Sequence, residues 1–251
     1  MNPAMKVKTA IANLITLPAV GRSIARLLHN KIKIRGITVD TSSPLIQARV
    51  KAMLFWQLYE SAEIRFVKRY LPPETDVVEL GSSIGVVGSI AGRIIQGQRL
   101  VCVEAQPEFI PVIRRNLEIN GVKNFMVLNY AISNEDKTVF FTSGGTNLTG
   151  KVGTGQDKQL SVKGKKLSSI LKEMSIGRFA LIADIEGAEL QILIDDPRSL
   201  GQCHCIIIET HQAIHSGKTY SPADIQMLIE DLNFKLIDRY GPVMVFIRPN
   251  P

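Results

Sequence analysis

"VVELGSSIGVVG", residues 77–88, is an apolar run that ends in a carboxylate and then bends through spaced glycines into a helix. Residues 77–80 read as a buried strand, 81–85 as the turn and 86 onward as the helix, with Gly88, Ala91 and Gly92 on one helical face. Glycine inside a helix costs roughly 1 kcal/mol relative to alanine, so two of them imply close helix–strand contact. The glycines fall as Gly81-x-x-x-Gly85-x-x-Gly88. A dinucleotide fold instead carries G-x-G-x-x-G, with backbone amides around a pyrophosphate. Glu79 beside a pyrophosphate would repel it by roughly 1 kcal/mol or more at about 4 Å. A carboxylate there suits a ligand with a cationic end, an ammonium or a sulfonium, and argues against NAD.

S-adenosylmethionine has that chemistry, since it carries an ammonium, a sulfonium and a ribose diol. Glu104, in "VCVEAQPE", closes the next apolar run 23 residues after Gly81. An acid at that place can accept both ribose hydroxyls. Glu79 and Glu104 therefore frame an S-adenosylmethionine site, to which Gly81, Ser82, Ser83 and Gly85 of the turn, Ala105 after Glu104, and Asp184 are assigned as further contacts.

Strand-like runs recur at residues 76–80, 100–103, 125–129, 179–184 and 205–209, and most of the intervals carry helical patterns. Helices are expected over 61–70, stopped by Pro72-Pro73, and over 85–96, 109–120, 187–194 and 222–232. Pro111 predicts an irregular first turn in the third of these, and Gly121 a left-handed cap at its end. This alternation predicts an α/β fold, a mostly parallel sheet with helices on both faces. Two last strands, 235–238 and 243–247, are joined by Arg239-Tyr240-Gly241-Pro242 and form an antiparallel hairpin, giving seven strands. Residues 143–166 break the rhythm, being rich in Gly, Ser, Thr and Asn. They read either as an excursion, such as a hairpin, that closes over substrate or as a solvated loop.

The chain has 251 residues, enough for one large α/β domain, and its 45% hydrophobic content argues for a packed globule. Cys102, Cys203 and Cys205 are an odd number in apolar runs, which favours reduced core thiols and a cytoplasmic setting over disulfides. Strand alternation turns His204 away from Cys203 and Cys205, against a metal there. The net charge is +7, and the seven basic residues before Asp40, with no acid among them, equal that whole excess. The remainder is balanced and carries no nucleic-acid footprint. Residues 1–58 thus read as a basic helical arm before a catalytic domain at 59–251. The uncharged run at 9–21 is too short to span a bilayer, and Pro18 divides it into two short helices. The arm reads either as an amphipathic segment on an anionic membrane, at the inner face, or as a helix packed on the catalytic domain.

Glu79-Leu80-Gly81-Ser82-Ser83-Ile84-Gly85, Glu104-Ala105-Gln106-Pro107, Arg115-Asn116-Leu117-Glu118-Ile119-Asn120-Gly121 and Asp184-Ile185-Glu186-Gly187-Ala188-Glu189 resemble the motifs of FkbM-type methyltransferases. The similarity runs from about residue 59 to 248, and "DIEGAE" is its most specific element. The sequence departs in Ser82-Ser83, where the family more often has Ala-Asn, and in Glu79, which replaces a common Asp. The resemblance implies a Rossmann-like class I methyltransferase sheet and O-methylation of natural-product, glycolipid or saccharide hydroxyls. It also implies that Asn129 to Ile132 border the adenine, with Asn129 and Ala131 as contacts.

Methyl transfer from a sulfonium is an in-line displacement, and an unactivated hydroxyl needs a base or a metal. Asp184 and Glu186 follow the fourth core strand, and His211, in "IIIETHQAIH", follows the fifth at the same edge. His211 is assigned as base, with Asp184 or Glu186 orienting the acceptor and Glu189 only charging the first turn of its helix. The alternative is Mg²⁺ held by Asp184 and Glu186, two carboxylates being too few to make it the first choice. Two function classes follow: an O-methyltransferase acting on a small-molecule or glycan acceptor, or a catalytically degenerate cofactor-binding protein docked on a membrane or partner enzyme.

Overall fold

The computed structural model describes residues 12–143, 150–152 and 159–249. Its centre is a seven-stranded sheet in the order Lys235–Tyr240, Val243–Ile247, Cys203–Glu209, Phe179–Ala183, Asp76–Leu80, Leu100–Val103, Phe125–Leu128. Val243–Ile247 runs against both of its neighbours, and the other pairings are parallel. Chain order reverses between Asp76–Leu80 and Phe179–Ala183, which pair from Phe179↔Asp76 to Ala183↔Leu80. Open α/β sheets bind ligands beyond the carboxyl ends of strands at such a reversal.

Alternation along Asp76–Leu80 divides the core. Val77 packs with Ile84 and Ile113 on one face, while Val78 and Leu80 pack with Phe179 and Phe246 on the other. Gly81 adopts φ +82, and a Cβ there would lie 1.8 Å from the Asp184 carbonyl oxygen. The ends of the two central strands can abut only because residue 81 has no side chain. The expected close helix–strand contact falls at Gly88 of the Val86–Ile94 helix, where a Cβ would stand 2.5 Å from Glu79 Oε2.

The expected elements are present with shifted ends. Pro111 is accommodated by a 3-10 turn, Pro107–Phe109, leading into the Ile110–Ile119 helix. The helix expected over 187–194 shortens to Glu189–Leu193, because Glu186 and Gly187 turn through φ 52 and 100. Within 143–166, positions 144–149 and 153–158 lie outside the described residues. Around them Thr138–Ser143, Gly150–Val152 and Gln159–Lys165 form strands that, with Ala131–Ile132, make a second sheet. Cys102, Cys203 and Cys205 are buried free thiols.

The first 58 residues are not helical throughout. Residues 12–15 and Pro18–Leu27 are helical and interrupted near Pro18, and Ala48–Phe55 is a further helix. Between them Lys31–Ile34 and Ile37–Asp40 pair as an antiparallel hairpin. The alternation Lys31-Ile32-Lys33-Ile34 and the positive φ of Arg35 and Gly36 account for it. Ile24, Ile32, Ile34 and Val39 join the same core cluster as Val77 and Ile113, so this segment is built into the fold. Among the described residues no helix is long and apolar enough to cross a membrane.

Candidate active site

A cavity of about 1000 Å³ opens where Asp76–Leu80, Leu100–Val103 and Phe179–Ala183 end, bounded by Gly81, Glu104 and Asp184. Ligand cavities run to about 1,000 Å³, so this one has room for a cofactor and an acceptor together. Three lining residues other than glycine, Glu60, Ser83 and Glu186, hold left-handed φ values of 42, 52 and 52. Backbone strain of this kind costs about 1–3 kcal/mol per residue and gathers at ligand sites.

One wall carries Ser83, Glu104, Ala105, Tyr130 and Ala131. Glu104 Oε2 accepts the Ser83 N–H at 2.8 Å and Oε1 accepts the Gln106 N–H at 2.9 Å. Burial pushes the Glu104 carboxyl up to about 7, against the pull of these backbone hydrogen bonds. Asn129 does not line the cavity; its amide donates to the Glu104 and Ala105 carbonyls, both at 2.9 Å, and fixes the loop from behind. Tyr59, whose hydroxyl lies 3.0 Å from Ser83 Oγ, and Glu60 reach the wall from the segment just before the Ser61–Tyr70 helix.

Glu79 is not brought to this cavity. It is 3% exposed, and its Oε2 accepts the Cys102 thiol at 3.1 Å. Burial raises its carboxyl pKa. Residue 79 alternates onto the sheet face covered by the Val86–Ile94 helix, so its carboxylate does not line the ligand space. Ser82 is likewise buried, and neither it nor Gly85 lines the cavity. Of the turn residues, Gly81 and Ser83 do.

The opposite wall carries Asp184 and Glu186, with Gln191, Gln212 and Thr219 nearby. His211 stands one layer back. Its Nδ1 lies 3.0 Å from Glu189 Oε1, and its Nε2 lies 3.6 Å from Glu186 Oε2, 3.6 Å from Glu209 Oε1 and 3.8 Å from Asp184 Oδ1. Burial pushes the Asp184 carboxyl up to about 7, aided by the Glu209 charge. Burial also raises Glu209 to about 7, together with the hydrogen bond and charge of Glu63. For His211 burial works downward, but the Glu189 hydrogen bond and the surrounding carboxylates outweigh it and raise the imidazole to about 9. His211 does not line the cavity, which removes it as a direct base. Glu189 does more than charge a helix turn, since its side chain is fully buried against His211. Its contact joins the helix after one strand to the loop after the next, a pairing that linear spacing does not reveal.

The sequence family described as the methyltransferase FkbM domain matches residues 79–236. No curated protein matches the chain in sequence. Among solved structures the chain is similar to the ribosomal protein L11 methylase of Lactobacillus delbrueckii subsp. bulgaricus, at 11% identity over 76% of this chain and 77% of that one, with a TM-score of 0.44. It is also similar to a TehB-like SAM-dependent methyltransferase of Corynebacterium glutamicum, at 13% identity over 77% of this chain and 94% of that one, with a TM-score of 0.42.

Proposed function

The chain belongs to the FkbM methyltransferase family, uses S-adenosylmethionine, and from that premise we propose that it methylates a hydroxyl oxygen of a saccharide, glycolipid or related natural product. The observation that carries this reading is the two-walled cavity, with Glu104 on one side and the Asp184–Glu186 pair on the other. When bound, the cofactor supplies a methyl group on a sulfonium, which passes to the acceptor oxygen as the S–C bond breaks and a thioether is left.

Glu104, with two oxygens and a rigid backbone setting, suits a ribose diol. Gly81, Ser83 and Ala105 shape the space beside it, and Ala131 gives the adenine a flat apolar contact. The second wall suits an acceptor rich in hydroxyls. Asp184 and Glu186 accept hydrogen bonds, while Gln191, Gln212 and Thr219 both donate and accept. Asp184, Glu186 and His211 together orient the acceptor hydroxyl and take up its proton, with His211 acting through the two carboxylates in front of it. Screening saccharide and glycolipid acceptors with labelled cofactor tests the reading. Turnover supports it, and cofactor binding without turnover on any hydroxylated acceptor favours the degenerate binding protein.

The N-terminal segment supports peripheral contact with an anionic membrane. The Pro18–Leu27 helix buries Gly21, Ile24 and Ala25 and exposes Arg22, Arg26 and Leu27, the last at 79%. Each basic residue near an anionic surface contributes about 1 kcal/mol.

A further inference from the structure

We propose that Asp184, Glu186 and His211, supported by Glu209, form a binding site for one hard divalent cation of the Mg²⁺ and Mn²⁺ class at the acceptor wall of the cavity. The inference rests on the functional reading above, because it puts the cation where the acceptor hydroxyl is expected. One ligand atom from each of Asp184, Glu186 and His211 lies within 4.8 Å of the others. The separations from His211 Nε2 to Glu186 and Asp184 are 3.6 and 3.8 Å, beyond a normal hydrogen bond. They fit ligands of one six-coordinate ion. With metal–ligand distances near 2.1 Å, neighbouring donors stand about 3.0 Å apart and opposed donors about 4.2 Å.

Two further observations point to a cation. Asp184 Oδ1, the atom that faces His211 Nε2, is buried and has no hydrogen-bond partner. Glu189 has a side chain with no exposure; one of its oxygens takes His211 Nδ1, and the other has no partner. A buried carboxylate on the far nitrogen of a histidine fixes the tautomer and presents Nε2 as a donor, which is the usual arrangement behind metal-bound imidazole. Charge points the same way. Among the described residues His211 is the one basic side chain that pairs with Asp184, Glu186, Glu189 or Glu209, so four carboxylates face a single imidazole. A donor set of carboxylates with a single imidazole favours Mn²⁺ over softer thiophilic ions. Such a cation would accept the acceptor oxygen as a further ligand and lower the pKa of its hydroxyl.

The test is a titration of EDTA-treated, full-length protein with Mn²⁺, following the free aqua ion by electron paramagnetic resonance. The expected result is one Mn²⁺ per chain, with affinity reduced at least about tenfold in Asp184→Asn and Glu186→Gln. Glu189→Gln, which acts only through His211, should weaken it by about 10- to 100-fold. Glu118→Gln, an exposed carboxylate elsewhere, should not change it. Echo-modulation spectra of wild type should show nitrogen coupling to the bound Mn²⁺, a readout that needs no variant to fold. Absence of Mn²⁺ uptake by folded wild type, uptake without nitrogen coupling, or equal uptake in Glu186→Gln overturns the inference. A turnover assay with labelled S-adenosylmethionine and the saccharide and glycolipid acceptors, run in parallel, separates the two readings. Cofactor turnover without metal uptake removes this site alone, whereas Mn²⁺ uptake without methyl transfer removes the proposed function alone.

Discussion

Replacing Glu104 with glutamine preserves the shape of the side chain and removes one acceptor at a site where every acceptor is used. Each carboxylate oxygen of Glu104 already takes a backbone N–H, from Ser83 at 2.8 Å and from Gln106 at 2.9 Å. An amide can satisfy one of these donors and must turn its own NH₂ toward the other, so the wall that receives the ribose loses an acceptor. Hydrogen bonds to charged groups are worth roughly 1.5–3 kcal/mol, which predicts S-adenosylmethionine binding about 10- to 150-fold weaker in Glu104→Gln. Calorimetric titration at pH 8 measures this. The wild-type affinity should also depend on pH, because burial holds this carboxyl at about 7 and the carboxylate is the form that accepts both hydroxyls. As pH falls below that value, binding should weaken toward tenfold per unit, and the dependence should vanish in the glutamine variant. The stability effect has the opposite sign. A carboxyl raised from about 4.3 in the unfolded chain destabilises the fold as pH rises through its folded value, so the neutral amide removes a cost at pH 8 while orphaning one N–H. The variant should therefore remain folded in a thermal melt. Unchanged cofactor affinity, or a pH dependence that survives the substitution, would refute the assignment of Glu104 to the ribose.

Gly81→Ala should prevent folding or lower Tm steeply, since its Cβ would meet the Asp184 carbonyl at 1.8 Å in addition to left-handed backbone strain; a melt close to wild type would refute the strand-end contact. Asp40 offers an acid-stability test. Burial pushes its carboxyl up, but hydrogen bonds from Lys31, Ser42 and Arg115 outweigh this and hold it well below the usual carboxylate range. A depressed folded pKa gives stability that is present above the unfolded value near 3.9 and lost as pH falls below it. Asp40→Asn should accordingly be destabilised at neutral pH, with the gap to wild type closing below about pH 4 in denaturant titrations. For the membrane proposal, the triple substitution Arg22→Glu, Arg26→Glu, Leu27→Asp should reduce sedimentation with anionic liposomes while leaving cofactor affinity unchanged. Equal sedimentation would end that proposal.

The central sheet was legible because its strands are nearly continuous apolar runs and the glycine turn marks the first crossover. Glu104 was legible for the same reason, as the first acid beyond a run. Glu79 misled because strand alternation, not proximity to the turn, decides where its carboxylate points, and only Gly88 reveals the space that receives it. The Lys31–Asp40 hairpin was hidden by its own charges, whose alternation with Ile32 and Ile34 is a strand signal four residues long. Tyr59 and Glu60 reach the cavity from outside any motif, and the Glu189–His211 contact joins segments 22 residues apart. Proximity of this kind comes from packing, which single-sequence periodicity does not encode.

The most direct measurement is the position of a labelled methyl group. Full-length protein incubated with ¹³C-methyl S-adenosylmethionine and a panel of saccharide and glycolipid acceptors should yield a product whose methyl carbon is bonded to oxygen by NMR. The signal should fall sharply when Asp184→Asn or Glu186→Gln replaces wild type while cofactor binding persists. A methyl group found on nitrogen or carbon, or full O-methylation by both variants, would contradict the account.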